Sequence, residues 1–240
     1  MSQQEHTDDI TGPAGQHELL NVAHLGRASY APVLSYQKDL HQKRLDGEVP
    51  DTLIFVEHDP VYTLGKAADP EHITASNQFL TDEDIDVVDI DRGGDVTYHG
   101  PGQIVGYPIF DLREHKRSVS WYMRTLEQAI MNALDTYGID TRRREGEPGV
   151  WVGDEKICAV GVRIARWITY HGFALNLDPD MRHFGGIVPC GIQDGGVVSM
   201  SDLLSPTPNR SDVCEQVTTT FQNMFGFQKV RHEDVTLDQE

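Results

Sequence analysis

Asp91-Arg92-Gly93-Gly94-Asp95-Val96-Thr97-Tyr98-His99-Gly100-Pro101-Gly102-Gln103 is the stretch that decides how this chain reads. Gly93 and Gly94 carry no side chain, so backbone N–H groups there can approach a ligand closely. Arg92 supplies a fixed cation, and Thr97 and His99 supply hydrogen-bonding heads. The apolar flanks 85–90 and 104–109 read as strands that frame the loop. Taken alone, the stretch reads as well as a structural hairpin. The blocks further along the chain separate the two.

Outward from it, the alternation of elements predicts an α+β domain with a mixed sheet. Residues 30–45 carry Val33, Leu34, Gln37, Leu40 and Arg44 near helical spacing, and Asp46-Gly47 supplies a stop. Residues 118–137 give the clearest helix, with Tyr122, Leu126, Ile130, Leu134 and Tyr137 on one stripe before Gly138. Runs 52–56, 150–152, 157–166 and 168–177 read as strands. A last helix is predicted over 212–225, with Asp212 and Glu215 at capping-box spacing, then a strand over 227–230. Polar tails are expected at 1–17 and 232–240, around one domain spanning 18–231.

The net charge is −18, so the global field opposes a duplex-binding surface, and no nucleic-acid partner is expected. Acidic excess with few lysines suits a salty cytoplasm and an ordinary acidic protein equally. Thermal melts at low and multimolar salt separate those two. No apolar run approaches the roughly 20 residues of a membrane span. Arg142-Arg143-Arg144 is the densest positive patch, and an acidic partner has few other places to dock.

Three widely spaced cysteines, an odd number, argue against a disulfide framework and fit a reducing cytoplasm. Cys214 falls on a helical apolar stripe and reads as packing. Cys158 lies two residues after Lys156, on the same strand face. Cys190 sits between Pro189 and Gly191 in an expected exposed turn, and it leads Cys158 as a nucleophile candidate. Lys156 enters an apolar run from a turn, unlike an ordinary surface amine. The eleven histidines show no metal-ligand spacing, so no metal is expected. His171 and His183 read as pocket-lining or structural. No nucleophile elbow and no P-loop is present.

Several blocks together carry a resemblance. They are Arg92 to Gln103 with Tyr107, Glu57-His58 with Pro60-Val61-Tyr62-Thr63-Leu64-Gly65, and Lys156-Ile157 with Ala159-Val160-Gly161. His171-Gly172-Phe173-Ala174 with Asn176, and Pro189-Cys190-Gly191-Ile192 followed by Ser199, complete them. In order and content they resemble the lipoyl(octanoyl) transferase family from about residue 30 to 204. Cys158 stands where a small residue is usual.

The resemblance implies a biotin/lipoate protein ligase-like fold. It implies transfer of an octanoyl group from octanoyl-acyl carrier protein to a lysine of lipoyl domains, the first step of endogenous lipoylation. The acceptors would be lipoyl domains of 2-oxo acid dehydrogenase complexes and the glycine cleavage H protein. It implies Cys190 as thioester nucleophile, Lys156 as its basic partner, and a substrate site lined by residues 92–99, 159–161 and 172–174. No cofactor and a monomer are implied. An ATP-dependent lipoate or biotin ligase and a silent lipoyl-domain-binding module are the alternatives. Both fit the Lys156 and Cys190 pair less well.

Thiol chemistry suits those roles, because thioester-to-amide transfer needs a nucleophile that also leaves well. A free thiol with a pKa near 8.5 is about 3% thiolate at pH 7. Lowering it to about 6 makes roughly 90% thiolate, about a 30-fold gain. A Brønsted slope near 0.45 takes back about 13-fold of that gain. Lys156 is therefore expected to matter more for placing the thiol and moving a proton than for making thiolate.

Overall fold

The computed structural model describes residues 17–188 and 196–237. Eleven strands and five helices alternate among these residues: β1 (His17–Ala28), α1 (Tyr30–Leu45), β2 (Asp51–His58), β3 (Val61–Leu64), α2 (Asn77–Asp82), β4 (Asp86–Asp89), β5 (Val96–His99), β6 (Gln103–Ile109), α3 (Val119–Asp135), β7 (Arg142–Arg144), β8 (Glu147–Val152), β9 (Glu155–Ala165), β10 (Ile168–Asn176), α4 (Met200–Leu203), α5 (Arg210–Phe225) and β11 (Phe227–Asp234). Eight strands form one sheet in the order β11-β1-β2-β6-β10-β9-β8-β7, and β4-β3-β5 form a second. β1 runs parallel to both β11 and β2, and the strands from β2 to β7 pair antiparallel.

Side-chain alternation along the central strands sends residues to two cores. Leu53 and Phe55 of β2, Ile104 of β6 and Phe173 and Leu175 of β10 pack under α3 and α5. Ile54, Val56, Val105, Tyr107 and Ala174, one residue out of phase, pack under α1. Helix α1 buries Tyr30, Val33, Gln37, Leu40 and Arg44 on one stripe. The two polar members of that stripe each hold a partner: Gln37 Oε1 accepts from the His171 N–H at 2.9 Å, and Arg44 Nε donates to Asp51 at 2.7 Å. Tyr62, Tyr98, Phe184 and Ile187 make a third core beneath the small sheet.

Several local expectations change. The flanks of the opening stretch do not pair with each other. Residues 86–89 belong to the small sheet and 103–109 to the large one, while Val96–His99 is itself a strand between them. Helix α5 starts at Arg210, where the Asn209 side chain caps by accepting from the Asp212 N–H, so Asp212 is not the cap. The last strand runs through Asp234, because β1 offers it a parallel partner as far as His24. Residues 232–234 are therefore sheet rather than tail, as is His17 at the other end. Residues 235–237 follow outside any strand, with the Val235 N–H donating to His24 O, and residues 1–16 and 238–240 lie outside the described residues.

The arginine patch is also corrected. Arg142 pairs with Asp154 at 2.6 Å, Arg143 with Glu127 at 3.0 Å, and Arg144 with Glu147 at 3.4 Å while lying over the Trp151 ring. These internal pairs answer the three charges that the sequence left open for an acidic partner.

Candidate active site

A cavity of about 180 Å³ lies where the two sheets meet. Its floor comes from two antiparallel strands whose small residues sit opposite one another: Ala159 faces Ala174 and Gly161 faces Gly172. Bare backbone is required at Gly172, and Gly161 has little room to spare. A Cβ on Gly172 would stand 2.1 Å from Gly106 O, and one on Gly161 would press Arg92 Cδ and Gly93 O at 3.1 Å.

The glycine stretch forms the roof. The Gly93 N–H donates to Val162 O at 3.0 Å, tying the roof to β9. Lys66 N donates to Arg92 O, and Gly65 N to Asp95 O, tying it to the end of β3. Gly65 itself has no room for a side chain, since a Cβ would meet Gly94 O at 2.3 Å. Arg92 is buried, and its guanidinium donates to Thr63 O at 2.7 Å, Thr63 Oγ1 at 3.0 Å and Gly93 O at 3.0 Å. The cation expected to greet a ligand thus also fastens the roof to β3.

Lys156 reaches the cavity from β9 and is 8% exposed. Its ammonium lies 4.6 Å from the centroid of the buried Trp151 ring on β8. Among the described residues no carboxylate pairs with it. The chain after residue 195 returns to this point: Lys156 N donates to Gly196 O at 2.9 Å, and Val198 N donates to Lys156 O at 3.2 Å.

Tyr30, His99, Tyr107 and His171 form a polar wall of the same cavity. Burial holds His58 and His171 down to about 4, and holds His99 well below its ordinary value, so all three are neutral. Their partners then fix the protons. His58 Nδ1–H donates to Ala28 O at 3.1 Å, so Nε2 accepts from the Tyr107 hydroxyl at 2.8 Å. His171 Nε2–H donates to Asp91 at 3.0 Å, leaving Nδ1 facing the Tyr30 hydroxyl at 3.5 Å. Gln103 gives its amide N–H groups to Tyr98 O and Asn176 Oδ1, so its Oε1 accepts from His99 Nδ1–H at 3.2 Å.

Of the sequence candidates, Arg92, Gly93, Gly94, Val96, Thr97, His99, Lys156, Ala159, Val160, Gly161, Gly172, Phe173 and Ala174 all line this one cavity. Asp95 and Tyr98 do not. Asp95 accepts from the Val96 N–H at 2.7 Å and lies 2.6 Å from His72 Nδ1, while Tyr98 packs in the third core, 2.7 Å from His183 Nδ1. Cys190 lies outside the described residues. Cys158 is fully buried, and burial pushes its thiol far up despite the opposing Lys156 charge. Burial likewise pushes Cys214 up to about 11. Neither cysteine is poised to ionise. Met123 of α3, Pro148 of β8 and Val162 also line the cavity, with no local pattern announcing them. His171, which the sequence offered as pocket-lining or structural, lines the cavity, and Tyr30, an aromatic opening the first helix, joins it without having been singled out for the site.

Residues 29–222 match the lipoyl protein ligase A/B catalytic domain. The chain belongs to that family. It is 42% identical over 209 residues to the octanoyltransferase of Caldicellulosiruptor bescii, covering 86% of this chain and 92% of that one. By that relationship the chain is an acyltransferase. The fold is also similar to the bipartite lipoate protein ligase of Thermoplasma acidophilum, at TM-score 0.69 and 16% identity over 92% of this chain and 88% of that one. The biotin protein ligase of Aquifex aeolicus with biotin and ATP is more distant, at TM-score 0.54 and 12% identity over 85% and 70%. The α+β fold expected from the sequence is thus the lipoate and biotin ligase fold.

Proposed function

We propose that the chain moves an octanoyl group from octanoyl-acyl carrier protein to a lysine of a lipoyl domain, through a thioester on Cys190. The observation that carries the reading is the buried Lys156 ammonium at an apolar cavity roofed by the glycine stretch, with the chain beyond Cys190 hydrogen-bonded back onto Lys156. In the first half-reaction the Cys190 thiolate attacks the donor carbonyl carbon. A C–S bond forms, the tetrahedral oxyanion collapses, and the carrier thiolate leaves with a proton from Lys156. In the second, the acceptor amine attacks the acyl-Cys190 carbonyl. The C–N bond forms as C–S breaks, and the proton lost by the attacking amine returns to Lys156, restoring the Cys190 thiolate and the Lys156 ammonium for the next turnover. Backbone N–H groups of the roof are the candidate oxyanion donors. Residues 92–94, 96, 97, 99, 159–161 and 172–174 would hold the acyl chain. The 42%-identical octanoyltransferase supports the choice of acyl group.

Intact-protein mass spectrometry after mixing with octanoyl-acyl carrier protein, without ATP, tests this. The expected result is one octanoyl adduct, removed by hydroxylamine, lost in Cys190→Ser and kept in Cys158→Ser. An adduct lost in Cys158→Ser instead moves the nucleophile. Acyl transfer that appears only with ATP favours the ligase chemistry named for the structural neighbours, and no adduct under any condition leaves the binding-module reading.

A further inference from the structure

We infer that the polar wall of the cavity is the length stop of the acyl pocket, with the Tyr30 and Tyr107 hydroxyls and His99 as its specificity-determining residues. This rests on the function proposed above, which puts the acyl carbonyl beside Lys156. The strand register puts the wall at the other end. Val162, opposite His171, is six residues along β9 from Lys156, so the wall lies further along the strand than that lysine. An acyl chain tethered near Lys156 and lying on the Ala159–Ala174 and Gly161–Gly172 floor therefore points its methyl end at Tyr30, Tyr107 and His99.

The protons of the wall decide what it can accept. The Tyr107 hydroxyl proton is committed to His58, and the Tyr30 hydroxyl faces His171 Nδ1. His99 has given its Nδ1 proton to Gln103 and keeps a lone pair on Nε2. The wall therefore offers acceptors. A methyl terminus pushed against it strips water from these lone pairs and returns nothing. A shorter chain leaves apolar floor uncovered. The preferred chain fills the apolar part and ends before the wall. The wall cannot easily give way, because His58 is anchored to the Ala28 carbonyl. His171 is held at φ +55°, with its N–H on Gln37 and its ring on Asp91.

The test compares kcat/KM for octanoyl, decanoyl and 10-hydroxydecanoyl thioester donors on the full chain. The wild type is expected to use 10-hydroxydecanoyl about tenfold better than decanoyl, since the terminal hydroxyl hands a proton to the wall. Tyr107→Phe and Tyr30→Phe are expected to raise the decanoyl-to-octanoyl ratio by about the same factor and to shrink the hydroxyl advantage. The wild-type comparison needs no variant, so a variant that fails to fold does not leave the question open. Equal use of decanoyl and 10-hydroxydecanoyl by an enzyme that transfers octanoyl would overturn the wall alone. Absence of transfer from every donor would overturn the proposed function, and the wall with it.

Discussion

The Lys156 ammonium lies 4.6 Å over the indole of Trp151, its cross-strand partner at the β8–β9 bulge. An aromatic face stabilises a cation without taking its proton, unlike a carboxylate that would hold it in a salt bridge. The amine thus meets a ring face and, among the described residues, no carboxylate, which leaves it able to exchange a proton with a reacting group. Lys156→Arg keeps the charge but has no titratable proton near neutral pH. Single-turnover acyl transfer to the acceptor is expected to fall by at least 100-fold in Lys156→Arg, and near-normal turnover would show that charge alone suffices.

Cys158 and Cys214 are buried with raised thiol pKa values, so they are expected to resist alkylation in the native protein. Peptide mapping after brief iodoacetamide treatment should show modification at neither position until denaturant is added. Cys158→Ala removes a buried sulfur from the main core and should cost about 1 kcal/mol of stability with acyl transfer intact. A loss of transfer in a folded Cys158→Ala protein would contradict the structural role.

Gly65 lies outside the cavity, yet its alanine variant is expected to damage the site. The added Cβ would collide with the Gly94 carbonyl at 2.3 Å and with Arg92 Nη1 at 2.8 Å, so the roof must lift. KM for the acyl donor should rise at least tenfold, with a melting temperature lowered by a few degrees, on the scale of an overpacking substitution of about 1–3 kcal/mol. Gly47→Ala, where a Cβ meets nothing within 4 Å but φ is +77°, should cost stability without touching KM.

His58 and His171 titrate near 4 in the fold and at 6.5 when unfolded. Between those values the unfolded chain takes up protons that the folded chain refuses, so stability falls as pH drops from about 7 toward 4. Each buried imidazole contributes at most about 3 kcal/mol to that loss. Urea unfolding at pH 7.5, 6.0 and 5.0 should show the decline, and His58→Gln should flatten it. A wild-type stability unchanged between pH 7.5 and 5.0 would refute the neutral-histidine wall.

Arg142, Arg143 and Arg144 are each paired within the chain. Between a chain of net charge −18 and a proposed acceptor domain of the same sign, added salt screens repulsion more than attraction. Transfer should therefore hold or rise between about 0.05 and 0.3 M salt, as the Debye length shortens from about 14 Å to below 8 Å. Arg142→Gln should leave acceptor KM within about twofold. A steep fall in rate with salt would show that an exposed basic patch still steers the partner.

The periodic elements were legible because their causes are local. The stripe Tyr30, Val33, Gln37, Leu40 and Arg44 specifies α1, although only the fold reveals why two polar residues sit on it: His171 and Asp51 wait for them. The far half of β11 was not legible, since it is polar in composition and becomes strand by pairing with β1 over about 210 residues of sequence, and β1 was not read as a strand although Leu20, Val22, Ala23 and Leu25 of it are buried. The Asn209 cap was missed because the Asp212 and Glu215 spacing gave a competing local signal.

Sequence alone marked residues that line the cavity, the glycines, Lys156 and the small floor residues, because each is distinguished by what its side chain lacks or carries. Tertiary structure alone decided what those groups face. It placed Arg92 on the carbonyls of β3, set Cys158 in the core and closed Asp95 and Tyr98 off from the cavity. It also drew Tyr30, Tyr107 and three buried histidines from five separate elements into one hydrogen-bonded wall. Proton placement in that wall depends on distances and burial between residues far apart in the chain, and no local pattern encodes those.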